Sequence, residues 1–87
     1  MKAYNLRNNC IRLAVGVFVI RSRIVGAFSM DIRKVRLLSK KYDSNCKLWD
    51  VTGREQKKTL ILLDDGTAIL SPFAVATIAK ELEGGVE

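Results

Sequence analysis

Between Lys47 and Leu82 the chain alternates apolar segments with strong turn chemistry. Leu60-Ile61-Leu62-Leu63 runs into Asp64-Asp65-Gly66-Thr67. An Asp-Gly pair supplies the positive φ that a tight reversal needs, so the chain turns back there. Ala68 to Leu70 then returns as a short strand. Upstream, Lys47 to Val51 reads as a strand with Leu48 and Asp50 on one face and Trp49 on the other. Lys58 to Leu63 reads as its hairpin partner. Ser71 suits a helix N-cap, and Pro72 suits the first helical position, where its missing N–H costs nothing. Phe73, Ile78 and Leu82, with small alanines between, give that helix an apolar face, and Gly84-Gly85 stops it. The loop between the first two strands, Thr52-Gly53-Arg54-Glu55-Gln56-Lys57-Lys58, is polar and rich in cations. Loops held by rigid strands often carry function.

The first half is patterned differently. From Ile11 it is rich in Val, Ile and Phe, which favours strand. Ile11, Leu13, Val15, Val17 and Val19 fall on one face, and Ala14, Phe18 and Ile20 on the other. A strand apolar on both faces is covered on both. Arg21-Ser22-Arg23 makes a basic corner before a second strand, Ile24 to Phe28, in which Gly26 marks a bulge or a close backbone approach. Ser29 or Asp31 can cap a helix over residues 32–43. Ile32, Val35, Leu38, Ser39 and Tyr42 share its apolar side, and Arg33, Lys34, Arg36, Lys40 and Lys41 the opposite side. Leu37 stands among those cations. Asn45 suits a left-handed cap.

Eighty-seven residues make one domain. We expect a flexible N-terminal arm over residues 1–10 and one α+β domain over residues 11–87. Its antiparallel strands and hairpins would carry a middle helix and a C-terminal helix. Hydrophobic residues make up 48%, more than so small a body can bury, and a second copy of the chain is the simplest cover.

Several chemistries fall away. The chain has no histidine, the commonest general base and metal ligand. Cys10 and Cys46 are far apart and lack a CxxC partner, which argues against zinc; they could pair in a single disulfide, but two isolated cysteines more often mean a reducing compartment. Asp64 and Asp65, next to Gly66, read as turn-formers rather than an acid pair. No glycine-rich phosphate loop has the required spacing. We expect no enzyme activity, no cofactor, no metal and no small-molecule substrate. Leu13 to Ile20 is too short to cross a bilayer. Arg21 and Arg23 also stand where a signal peptide's small-residue cleavage site would be. The expectation is a cytoplasmic protein with no membrane contact.

Charge is the remaining signal. The net charge is +6. Residues 1–44 carry ten basic and two acidic side chains, a net +8, while residues 45–87 carry five and seven, a net −2. Such asymmetry suits a side that faces a polyanion. The cations fall into three groups: Arg21 with Arg23, the helix face from Arg33 to Lys41, and Arg54 with Lys57 and Lys58. The aromatic residues read as core, so a duplex backbone suits these groups better than stacked single strands.

The ordered set of segments resembles the RemA and RemB family of bacterial extracellular-matrix (biofilm) regulators. Residues Val17 to Phe28, VFVIRSRIVGAF, resemble that family's NIVSANRIIAIV. Asp50-Val51-Thr52 followed by Leu60 to Asp64 resembles its DAT and VIIMD. Ala68 to Pro72 and Thr77-Ile78-Ala79 resemble its ILS or YLSP and the helix that follows. The resemblance spans about residues 11–83 and implies a small α+β domain that assembles into a ring-shaped homo-oligomer. It also implies binding of promoter DNA through arginines, and regulation of matrix-gene transcription. By position Arg23 matches the arginine of ANR. RemA-like members carry a loop, YGRRTR, whose two central arginines bind DNA. Those positions are Glu55 and Gln56 here, flanked by Arg54, Lys57 and Lys58. The LSP spelling leans toward RemB.

The expected nucleic-acid contacts are therefore Arg21, Arg23, Arg54, Lys57 and Lys58, acting on double-stranded DNA from a homo-oligomer. The alternative is an oligomeric interaction module that binds a protein through the Arg33–Lys41 helix and does not bind DNA.

Overall fold

The computed structural model of the protein describes residues 10–84. Gly85 and all of the expected arm except Cys10 lie outside the described residues. Along the chain come β1 (Cys10–Ala14), β2 (Val17–Ile20), a 3-10 turn (Arg21–Arg23), β3 (Ile24–Ser29) and α1 (Arg33–Ser44). Then follow β4 (Leu48–Asp50), β5 (Thr59–Leu63), β6 (Ala68–Ser71) and α2 (Val75–Gly84). The chain is an α+β protein, in agreement with its patterning. β1 and β2 form an antiparallel hairpin, and the other four strands form one sheet in the order β3-β5-β6-β4.

β5 and β6 occupy the centre because both are apolar on both faces. Leu60, Ala68 and Leu70 pack with Val35, Leu38 and Tyr42 of α1. On the other face, Ile61 and Ile69 pack with Ile11 and Leu13 of β1 and Ile78 of α2. The sheet thus lies between α1 on one side and the hairpin with α2 on the other. Thr59 and Ser71 are fully buried, yet both are satisfied. The Thr59 hydroxyl donates to the Phe73 carbonyl at 2.7 Å. Ser71 Oγ donates to the Leu13 carbonyl and accepts from the Phe73 N–H at 3.0 Å. Burying these groups without partners would cost about 1–3 kcal/mol each. The Arg12 guanidinium also sits 5.4 Å from the centre of the Phe73 ring. Together these contacts tie the hairpin and the approach to α2 to the end of β6.

Several details depart from the sequence reading. The run from Ile11 to Ile20 is two strands, because Gly16 has φ +78° and lets the chain reverse after Val15. Ile11, Leu13, Val17 and Val19 still face inward. Val15 is 81% exposed at the turn. Lys58 to Leu63 does not pair with Lys47 to Val51. β5 pairs with β3 and β6, and β4 lies parallel to β6 on its far side. The reason is burial: β6 needs a neighbour on each edge, whereas β4, which carries Asp50, tolerates an edge. Ser71 does not cap α2. Its hydroxyl is spent on Leu13 and Phe73, and the helix begins at Val75. Ile32 holds the N-cap position of α1 with no side-chain bond, and it is exposed rather than buried. Arg36 instead donates to the Met30 and Asp31 carbonyls just before the helix. Asn45 has φ −97°, and Cys46 takes the left-handed conformation after α1, at φ +59°.

Two local expectations hold, the Asp-Gly turn and the irregularity at Gly26. Gly66 has φ +87° in the Asp-Gly turn. There Asp65 Oδ1 accepts the Thr67 N–H and hydroxyl at 3.0 and 2.6 Å. The β3–β5 register slips between Ile24 and Gly26, which makes Val25 the extra residue of a bulge. A Cβ on Gly26 would lie 2.9 Å from Cε1 of Phe28. No helix among the described residues is long and apolar enough to cross a membrane.

Truncating Ile61, which is fully buried in the layer under the hairpin, should cost about 2–5 kcal/mol as Ile61→Ala. Val15→Ala, at the exposed turn between β1 and β2, should cost under about 0.5 kcal/mol. Urea unfolding midpoints at one protein concentration check both. Equal losses would contradict the core assigned here.

Candidate nucleic-acid interface

The polar loop leaves β4 at the edge of the sheet, passes the end of β6 and enters β5. Its first half is organised by Asp50. Asp50 Oδ1 accepts the Thr52 N–H at 3.0 Å and the Thr52 hydroxyl, and Thr52 is buried beneath it. Glu55 N–H donates to the Thr52 carbonyl at 2.9 Å, and Gly53 turns the chain at φ +62°. Lys57 Nζ comes back to within 3.6 Å of Asp50 Oδ2. The second half is stapled by its backbone. Lys58 N–H donates to the Ser71 carbonyl at 3.0 Å, and the Lys58 carbonyl accepts the Met30 N–H at 2.9 Å. Arg54, Glu55, Gln56, Lys57 and Lys58 all remain exposed on this frame.

The Thr52 hydroxyl is the main cause that holds the Asp50 carboxyl below its ordinary pKa. The Thr52 N–H and the Lys57 ammonium act in the same direction, and burial opposes them. At neutral pH Asp50 is therefore an ionised hub at the base of the loop. Sequence reading passed over it, although its Asp-x-Thr spacing signals such a turn. Asp65 is built the same way, lowered first by the Thr67 hydroxyl and only weakly by Arg23.

Arg21 and Arg23 lie elsewhere. Arg21 is half-buried in the 3-10 turn. Arg23 is exposed, and its Nε donates to Asp64 Oδ1 at 3.1 Å. Ile24 faces Leu63 at one end of the β3–β5 ladder, and Ser29 faces Thr59 at the other. Five residue steps separate those ends, about 17 Å. Within the chain the structure thus groups Arg54, Lys57 and Lys58 on one loop and leaves Arg21 and Arg23 at the opposite end of the sheet.

The aromatic residues differ from the sequence reading. Trp49 is 64% exposed, Phe18 57% and Phe28 40%. Among the described aromatic residues, only Tyr42 and Phe73 pack against the core. Trp49 is exposed because β4 is an edge strand, which follows from pairing rather than from the local pattern.

The chain is similar to known proteins over most of its length. The profile of the RemA-like family, described as extracellular matrix regulatory protein A-like, matches residues 10–82. A protein of Dictyoglomus turgidum named "Putative regulatory protein" is 31% identical over 75 residues. The alignment covers 86% of this chain and 88% of the relative. A protein of Dictyoglomus thermophilum with the same description is 29% identical over the same coverage.

The hub makes a pH prediction. A carboxyl with a lowered folded pKa contributes stability above its ordinary value of 3.8. That contribution is lost as pH falls through the lower folded value. Thr52→Val should move the Asp50 pKa up toward the ordinary value, and Lys57→Ala should move it less, as read by carboxyl-carbon NMR titration. The reverse order would make the ion pair, not the hydroxyl, the loop's clamp.

Proposed function

The chain belongs to the RemA-like family of extracellular matrix regulatory proteins, and from that premise we propose that it regulates transcription of matrix (biofilm) genes by binding duplex DNA. It acts as a homo-oligomer, without catalysis. The observation that carries this reading is the pinned loop, where Arg54, Lys57 and Lys58 stand exposed together. Lys57 has one loose carboxylate contact at 3.6 Å. A half-exposed pair of that kind is worth little and yields readily to a phosphate. These cations contact the backbone and set register; base reading is not what the loop is built for. Glu55 stands among them and weakens the local field, so the loop suits moderate, salt-sensitive affinity.

The homo-oligomer draws support from the sheet edges. β3 and β4 are its open edges. β3 carries Val25, 68% exposed, and Phe28, while β4 carries Trp49. Open edges with large apolar side chains associate unless covered. Two different edges meeting make a heterologous contact, which closes into a ring when the rotation closes. Phe18 and Ile20 on the outer face of β2 extend the apolar surface.

Duplex binding measured by fluorescence anisotropy should weaken steeply with salt. The triple variant Arg54→Ala, Lys57→Ala, Lys58→Ala should reduce the slope of log affinity against log salt by about 2.7, three phosphate contacts at ~0.9 each. An unchanged slope would remove the loop from the interface. Light scattering after size exclusion should show a defined oligomer. An oligomer with no duplex binding at low salt would leave the protein-interaction alternative in place.

A further inference from the structure

The loop cations have neighbours that sequence spacing does not reveal. An open groove of about 310 Å³ runs between α1 and the loop. Met30, Leu48 and Leu70 make its apolar floor, and Arg36, Lys40 and Lys57 stand along it. The groove has room for roughly ten waters, enough for one solvated phosphate group.

Arg36 is the built element of this groove. Its Nη1 donates to the Met30 carbonyl at 2.8 Å and to the Asp31 carbonyl at 3.0 Å. Those two bonds hold the guanidinium in place, and among the described residues the Nε–Nη2 side of the fork is unspent. That side is the one that grips a phosphate with two parallel hydrogen bonds. Lys40 follows Arg36 by four residues, so both project from the same face of α1. Lys40 makes no ion pair: the pairs among the described residues are Arg23–Asp64 and Lys57–Asp50. The groove also contains the Asp43 and Asp50 carboxylates. Asp50 is already engaged by Thr52 and Lys57. Asp43 lies one turn beyond Lys40, toward the C-terminal end of the helix.

We propose that Arg36 and Lys40 of α1, with Lys57 of the loop, form a phosphate-binding groove that takes one backbone phosphate of the bound duplex. This rests on the duplex-binding reading above and adds α1 to the interface. It also gives this chain a fixed arginine fork next to a loop whose central positions are Glu55 and Gln56. Arg21 and Arg23, at the far end of the β3–β5 ladder, cannot serve the loop in this way within one protomer.

The test compares the full-length protein with Lys40→Gln, Arg36→Lys and the control Lys80→Gln, which lies on α2 across the sheet. Duplex affinity is measured over a salt series, with thermal unfolding to check folding. Lys40→Gln should lower affinity several-fold at low salt and reduce the salt slope by about 0.9. Arg36→Lys keeps the charge and loses the fork, so it should lower affinity with little change in slope. Lys80→Gln should change neither. If Arg36→Lys fails to fold, Lys40→Gln alone decides. Wild-type binding with an unchanged Lys40→Gln variant overturns the groove and leaves the loop reading standing. No wild-type duplex binding at low salt overturns both. Inorganic phosphate titrated alone separates the two sources of phosphate. If it saturates a Lys40-dependent site while duplex binding ignores Lys40→Gln, the groove belongs to a free anion and its assignment to DNA falls.

Discussion

The arrangement of this molecule depends on covering β5 and β6 on both faces. Leu60 and Leu70 point one way, and Ile61 and Ile69 the other. Removing such side chains from water is the dominant favourable term in folding, at about 25 cal/mol per Å² of apolar surface. A chain of this length has little material to spare for the task. α1 is committed to one face, and the β1–β2 hairpin with α2 to the other. That commitment leaves β3 and β4 as edges, with Val25, Phe28 and Trp49 exposed on them.

The same constraint builds the candidate interface. Because β6 is inserted between β4 and β5, the segment joining those two strands must pass the end of β6. It is long enough to rise from the surface and carries cations there. The buried polar groups at that end of the sheet do a second job. Ser71 ties β6 to the hairpin through Leu13, and the Ser71 carbonyl receives the Lys58 N–H. The cations therefore stand on a frame held by the core, which lowers the entropy lost when a partner binds. Asp50 continues this logic outward, since its carboxylate organises Thr52 and draws Lys57 back toward the sheet.

Membership of a regulatory family and the charge distribution point the same way, but the structure changes which cations stand together. Arg23 resembles the family's arginine and shares its charge class with the loop. Strand pairing nevertheless sets it about 17 Å from the Lys58 end. Asp64 also offsets part of its charge. α1, whose cations form a separate group in the sequence, shares an open groove with the loop, lined by Arg36, Lys40 and Lys57. Its Arg36 is fixed by two carbonyls that precede the helix. No periodicity argument finds that bond, because the acceptors are backbone atoms whose positions depend on how β3 ends.

The sequence by itself determined the local elements of this protein: the Asp-Gly turn, the irregularity beside Gly26, the amphipathic α1, the α+β class and the exposed basic loop. Each follows from short-range rules of φ and hydrophobic period, which act within a few residues. Only the tertiary structure decided that β4 lies beyond β6, that Trp49 is exposed, that Ser71 serves Leu13 rather than α2, and that Lys57 shares a groove with Arg36 and Lys40. Those outcomes come from competition among distant segments for the two faces and two edges of one sheet. Such competition is settled by total burial and hydrogen bonding, and no local window of the sequence contains it.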